Sequence, residues 1–410
     1  MRFAPGVPHI VMIYSSLMIA KITISCLFLV ILVYIFWSIF RPLNPVEPTI
    51  IFQTSTQQTI NYRSLPDWAP IGEQALSVAG YNLVATHGEQ KQVPIASIAK
   101  VMVALAVLDK KPLQLNQLGP EIEITDKDVE IYQNALLQNH SNVPVINGEK
   151  ISEYQALQAL LLPSANNIAV TLTNWAFGSQ EEYLKFANEY SKKLGMSNTN
   201  FADASGFDPK TISTPTDLLL LGGKALKNPV IAQIVNQKSA DIPVAGTITN
   251  TNKDLGLAGI NGIKTGTTLQ AGSCLLFSAS NGSNNIIGVI LGDTDSNSVL
   301  LDAQKLAQSA IDNIELSTIV KANQKVGEYK LPWGKPIDAI ATKDISIANL
   351  KGESLNPSIN LVKINPGFYN KDNIGDVSAK YKDVYYTTNI KLKENIAKPS
   401  IWWRLSHPLT

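Results

Sequence analysis

At 410 residues the chain is longer than one hydrophobic core usually fills, so two folded bodies with appended segments are expected. Lys+Arg 34 nearly balances Asp+Glu 33, which excludes the basic field of a nucleic-acid binder and the acidic excess of a solvating tail. His9, His87, His140 and His407 stand apart with no HExxH or Cys/His cluster, and Cys26 and Cys274 are the only cysteines; no metal, cofactor or disulfide framework is expected, and the folded parts rely on their cores.

Ile22 to Phe40 carries no charge and is rich in Ile, Leu, Val and Phe, a length that matches the hydrocarbon layer of a bilayer. Tyr34, Phe36 and Trp37 run straight into Phe40-Arg41-Pro42 with no small-residue cleavage site, so residues 22–40 read as an uncleaved single-pass anchor. Arg2 and Lys21 before it and Arg41 after it give a slight bias toward an N-in orientation, with residues 1–21 as a cytoplasmic segment and the bulk of the chain outside. Residues 41–64 are polar, bear Pro, Thr and Gln, lack periodicity, and read as a linker.

A first domain is expected over residues 65–316. Ala75 to Thr86 reads as a hairpin turning at Gly80-Tyr81. It leads into Pro94-Ile-Ala-Ser97-Ile-Ala-Lys100, after which apolar residues fill nearly every position to Leu108, the pattern of a helix buried on all sides. Asp109 to Lys150 is mixed, with one short strand at Glu121 to Thr125 and no assigned chemistry. Ser152 and Gln155 form a capping-box pattern opening a helix that Pro163 ends, and Ser164-Ala-Asn166-Asn167 opens the next, which runs to Trp175. An amphipathic helix follows from Ser179 to Leu194, a loop from Ser205-Gly206 through Asp208-Pro209, and a capped helix from Thr214-Pro215 to Leu226. Strands are expected around Ile263 to Gly266, Ser273 to Ala279 and Ile286 to Leu291, with a closing helix from Ser298 to Ile314.

Three polar constellations stand out against this scaffold. Ser97 and Lys100, three apart at a helix start, share a face, so the amine can take the hydroxyl proton while the helix N-terminus favours negative charge at the oxygen. Ser164 and Asn166 sit at the break between two buried helices, where Ser164 serves equally well as a plain cap. Lys264-Thr265-Gly266 lies on a strand, where a lysine is ordinarily a solvated edge residue.

In that order and on those elements, Ser-x-x-Lys, Ser-x-Asn and Lys-Thr-Gly are the signature of penicillin-binding proteins and class A β-lactamases. Over residues 65–314 the chain resembles the D-alanyl-D-alanine carboxypeptidases, the low-molecular-mass penicillin-binding proteins. Leu162-Pro-Ser-Ala-Asn-Asn167, Ala204-Ser-Gly206, Ser213-Thr214 with Asp217, and Gly262-Ile-Lys-Thr-Gly266 with Ala271-Gly272 carry the likeness beyond the three motifs. The resemblance implies an α+β fold, an antiparallel sheet flanked by helices, followed by a small all-β domain. It implies Ser97 as nucleophile, Lys100 as base with its pKa lowered by burial and by Lys264, and Ser164 as proton relay. Asn166 then binds the peptide backbone, Lys264 and Thr265 the terminal carboxylate, and the amides of Ser97 and Thr267 the oxyanion. Gly266 is expected to keep the substrate's approach open. The partners implied are a peptidoglycan stem peptide, β-lactams as covalent inhibitors and, through residues 22–40, a membrane.

Two departures qualify the likeness. Ala99 stands where threonine is common, and no Lys or Arg occurs between Lys264 and Lys305, where many relatives place an arginine for the carboxylate. Peptidoglycan endopeptidase activity, or a non-catalytic penicillin-binding wall protein, therefore stand as alternatives to carboxypeptidase. Rapid β-lactam hydrolysis is not expected, because Glu181-Glu-Tyr-Leu184 is followed by Lys185 where class A β-lactamases need Glu-x-x-Leu-Asn. Beyond residue 316 short alternating runs at Val326 to Leu331, Ile337 to Thr342, Ile359 to Ile364 and Val384 to Ile390 predict a β-rich domain over 317–396. The aromatic tail 397–410 suits either a membrane interface or packing on that domain.

Overall fold

The computed structural model describes residues 8–52, 66–79, 81, 83–280, 282, 285–353, 355–365, 373–382 and 384–408. Most of the expected linker, residues 53–65, and the Gly80 turn residue thus lie outside the described residues. The chain divides into two bodies, residues 58–317 with 347–353, and residues 1–57 with 318–346 and 354–410.

In the first body a five-stranded antiparallel sheet runs in the order Ile260–Thr268, Gly272–Ser280, Asn285–Asp293, Glu73–Val78, Leu83–His87. The period-2 pleat of Gly272–Ser280 decides how the two faces are covered. Cys274 and Leu276 join the core around the Lys100–Lys110 helix, whereas Leu275, Phe277 and Ala279 pack with the Ser296–Asn313 helix. Both faces are apolar and both are covered, so this sheet is a packed middle layer. The Lys100–Lys110 helix is buried from Lys100 to Leu108, as its uninterrupted apolar run requires.

The sequence expectations hold for the hairpin, for the Ser152/Gln155 capping box on Glu153–Leu161, and for Asn166–Phe177, Gln180–Lys193 and Pro215–Leu226 with its Thr214 cap. Two helices went unread. Asp126–Leu137 opens on a Thr125/Asp128 capping box inside the stretch taken as mixed, but it is polar and buries only Ala135, so it carries almost no apolar stripe. Pro229–Val235 is a short buried helix with Asn228 as cap, too brief for periodicity to register.

In the second body one helix, Pro8–Phe40, contains the apolar span Leu17–Phe40. It starts well before Ile22, so the segment read as 1–21 is helical from Pro8 onward. Pro48–Ile50, inside the stretch read as a linker, is an edge strand paired with Lys325–Tyr329. The six-stranded sheet continues through Ile337–Ala341, Val384–Leu392, Gly375–Tyr381 and Asn356–Leu361. The tail forms a short helix, Ile401–Ser406, against the end of the apolar helix. Arg404 Nη1 donates to the carbonyls of Ser38 (3.4 Å) and Arg41 (3.0 Å), and Tyr34 Oη donates to Leu405 O at 2.6 Å. An arginine thus satisfies carbonyls that a helix C-terminus leaves without intrahelical donors.

Candidate active site

The nucleophile turn is tighter than a simple helix start. Ala96–Ala99 is a 3-10 turn leading into the helix at Lys100, and Ala96 takes a left-handed φ of 46°. Such a conformation in a non-glycine residue persists only where the surroundings enforce it. The enforcing neighbour is Gly206: a Cβ there would lie 1.7 Å from the Ala96 carbonyl oxygen, and its φ of 79° also favours glycine.

Lys100 is fully buried and its Nζ has three partners: Ser97 Oγ at 2.9 Å, Asn166 Oδ1 at 2.7 Å and the Ser205 carbonyl at 2.9 Å. Two of the three, the amide oxygen and the carbonyl, can only accept. A neutral amine has two N–H bonds for them and one lone pair left, which then faces the Ser97 hydroxyl. Burial, and secondarily the charge of Lys264, hold the Lys100 pKa well below its ordinary value, against an opposing pull from Asp203. Geometry and electrostatics are therefore compatible with Lys100 accepting the Ser97 proton. Ser97 itself is half-buried and reachable.

Lys264 lies on the edge strand Ile260–Thr268 yet is only 1% exposed, not a solvated edge residue. Burial pushes its pKa down to about 7, and its Nζ donates to the Thr265 carbonyl at 2.9 Å. Thr265 Oγ1 is 2.7 Å from Thr251 Oγ1, and the Thr251 backbone amide donates to Leu162 O at 3.0 Å, which ties this strand to the helix junction. Ser164, at that junction, has φ 66°, is buried, and its Oγ has no hydrogen-bond partner. A helix cap would be bonded to a backbone amide, so an open, buried hydroxyl in a strained residue fits a group held for a ligand. Thr267 is exposed, with Oγ1 near Ser273 (3.2 Å) and Ser296 (3.1 Å) hydroxyls.

Gly266 makes a close contact that its place on a strand does not reveal. A Cβ there would lie 2.7 Å from Ser97 N, 3.0 Å from Ala96 Cβ and 3.2 Å from Ile98 N. The missing side chain makes room for the nucleophile turn to press against the strand.

Residues without an assigned role in the sequence complete the arrangement. Asp203 accepts from the amides of Ser205 (3.1 Å), Gly206 (3.1 Å) and Phe207 (3.0 Å), and from Ser205 Oγ and Thr211 Oγ1 (both 2.6 Å). It fixes the loop whose Ser205 carbonyl meets Lys100. An aspartate two residues before Ser-Gly is the Asx-turn signal that marks such a loop, though not its contact with Lys100. His140 packs on Phe207 with ring centroids 4.0 Å apart. Glu181 and Glu182 are exposed on the first turn of Gln180–Lys193.

The profile of the D-alanyl-D-alanine carboxypeptidase family matches residues 78–295. D-alanyl-D-alanine carboxypeptidase DacF of Bacillus subtilis is 27% identical over 288 residues, 68% of this chain and 70% of its own length. DacC of Escherichia coli is 30% identical over 247 residues, 59% of this chain and 61% of its own length. The crystal structure of penicillin binding protein 5 from Haemophilus influenzae superposes with a TM-score of 0.65 at 19% identity, covering 82% of this chain and all of that one, a likeness of fold.

Proposed function

The chain belongs to the D-alanyl-D-alanine carboxypeptidase family of serine hydrolases, and from that premise we propose that it removes the terminal D-alanine from peptidoglycan stem pentapeptides through an acyl-serine intermediate. The observation that carries the reading is the three-way contact of Lys100 Nζ with Ser97 Oγ, Asn166 Oδ1 and Ser205 O. With the amine neutral, its lone pair faces the Ser97 hydroxyl, the one of the three partners that carries a proton to give.

Ser97 Oγ attacks the carbonyl of the penultimate D-alanine as Lys100 takes its proton. The oxyanion is met by the Ser97 and Thr267 amides, brought together because Gly266 lets strand and turn touch. Ser164, its hydroxyl otherwise without a partner, relays the proton to the departing amine, and the bond to terminal D-alanine breaks. Asn166, its oxygen occupied by Lys100, keeps its NH₂ for a substrate carbonyl. Lys264 supplies the positive charge for the terminal carboxylate, with the Thr265 hydroxyl beside it. Water then cleaves the acyl-serine ester. The Glu181-Glu-Tyr-Leu184 stretch lacks the asparagine of the class A Glu-x-x-Leu-Asn motif and both its glutamates are exposed at a helix start, so a penicilloyl ester is hydrolysed slowly and β-lactams inhibit covalently. The apolar Leu17–Phe40 span fits a single-pass cell-membrane anchor with the peptidase on the outer side, where this substrate lies.

The deciding assay measures D-alanine released from diacetyl-L-lysyl-D-alanyl-D-alanine by the full chain in detergent, beside Ser97→Ala. Release by the parent and none by the variant is expected. Labelling of Ser97 by a fluorescent penicillin without release would favour cross-link cleavage, and absence of both would favour a non-catalytic wall protein.

A further inference from the structure

The residue beside Thr265 has no part in the mechanism above. Thr251 lies in the loop between the strands Gly246–Thr249 and Ile260–Thr268, and its Oγ1 is 2.7 Å from Thr265 Oγ1. Its neighbours on both sides are built into the fold. Asn250 Nδ2 donates to the carbonyls of Val235 (3.3 Å) and Gln237 (2.9 Å), and Asn250 Oδ1 accepts the Asn252 amide at 2.9 Å. Asn252 is 3% exposed; its Nδ2 donates to the Gly262 carbonyl at 3.3 Å and its Oδ1 accepts the Asp254 amide at 3.2 Å. The Thr251 amide itself donates to Leu162 O at 3.0 Å. Two asparagines and a backbone bond thus secure a residue that is itself exposed. They hold its hydroxyl at a fixed place against the strand that carries Lys264 and Thr265.

The proton count of the hydroxyl pair shows what it can take. Each hydroxyl carries one proton and two acceptor lone pairs. One proton joins the two oxygens, and a second acceptor, Leu162 O, stands 3.3 Å from Thr251 Oγ1 and already holds the Thr251 amide. Both protons can therefore turn to a ligand that only accepts, at the cost of one neutral hydrogen bond. Two donors 2.7 Å apart suit the two oxygens of one carboxylate, and the bonds gained are charge-assisted, about twice as strong as the one lost. The sequence leaves room for such a partner. No Lys or Arg occurs between Lys264 and Lys305 to share the carboxylate, and the Lys264 amine spends one N–H on the Thr265 carbonyl.

We propose that Thr251 is a substrate-binding residue: with Thr265 it forms a two-hydroxyl clamp that takes both oxygens of the substrate's C-terminal carboxylate, in place of a second cation. The inference deepens the carboxypeptidase reading and rests on it for placing that carboxylate at Lys264 and Thr265.

The test compares kcat/KM of the full chain in detergent for diacetyl-L-lysyl-D-alanyl-D-alanine and for its C-terminal carboxamide, followed by release of D-alanine or D-alaninamide. The ratio is taken within each variant, so a general loss of activity cancels. Thr251→Val keeps the shape and removes the hydroxyl, and the preference for the carboxylate should fall roughly tenfold, the difference between a charge-assisted and a neutral bond. Thr251→Ser should keep the parent's preference. A merely structural role would lower turnover of both peptides alike and leave the ratio unchanged, which would overturn the clamp. A preference kept in Thr251→Val but lost in Lys253→Gln would assign the grip to that neighbouring cation and overturn it too. Release from neither peptide would count against the carboxypeptidase reading itself. The clamp is then read from acylation of Ser97 by benzylpenicillin and by its methyl ester. A parent preference for the free acid that Thr251→Val reduces supports it. Equal reduction for acid and ester refutes it, and acylation by neither overturns the clamp together with the reading it rests on.

Discussion

Gly266→Ala separates the two explanations for that glycine. The added methyl would sit 2.7 Å from Ser97 N, against the 3.4 Å at which ordinary contact begins, so strand and nucleophile turn must part by about 0.7 Å. The opposing atoms are backbone, and the turn is already held by the Ala96–Gly206 contact, so it has little room to give. Overpacking of this kind costs roughly 1–3 kcal/mol. At about 2–4 °C per kcal/mol for a body of this size, the melting temperature should fall by several degrees. A displacement approaching 1 Å of the attacking group costs up to about 100-fold in rate. Second-order acylation by a fluorescent penicillin should therefore drop roughly 10- to 100-fold, together with the melting temperature. Lost acylation with an unchanged melting temperature would mean that the methyl blocks the ligand instead. No change in either would refute the close approach of strand and turn.

Lys100→Arg keeps a cation at a position that needs a base, and acylation should fall by roughly 10²–10⁴, the usual share of a general base, with the fold retained by circular dichroism. Lys264, with its pKa at about 7 in the folded chain against about 10.4 unfolded, binds fewer protons folded than unfolded between those values, so stability rises with pH across that window. Relative to Lys264→Gln, the parent should gain up to about 1.4 kcal/mol per pH unit above pH 7 in urea unfolding, and parallel curves would contradict the burial of this amine. Turnover of carboxylate-bearing peptides should decline over the same rise as Lys264 loses its charge. Asp203→Ala strips the partner from three loop amides, and a loss of roughly 2–5 kcal/mol with slower acylation is expected. Slower acylation without destabilisation would place Asp203 in direct contact with substrate instead.

Much of this site was legible in the sequence because its chemistry is local. Ser97 and Lys100 are one helical turn apart, so their contact follows from spacing alone, and the apolar run after Lys100 already implied the burial that lowers its pKa. The long apolar helix, the Ser152/Gln155 capping box and the sheet strands likewise follow from composition and periodicity within a few residues. What the sequence could not hold are relations between distant segments. Asn166 reaches Lys100 across 66 positions and Ser205 across 105, and only packing makes those two acceptors consume the N–H bonds of the amine and leave its lone pair for Ser97. Gly266 reads as an ordinary strand glycine until the backbone of Ser97 is seen against it. Thr251 lies in a loop with no periodic signal, and its place beside Thr265 is a property of tertiary structure alone, since pattern encodes which face a residue occupies but not which distant face it meets.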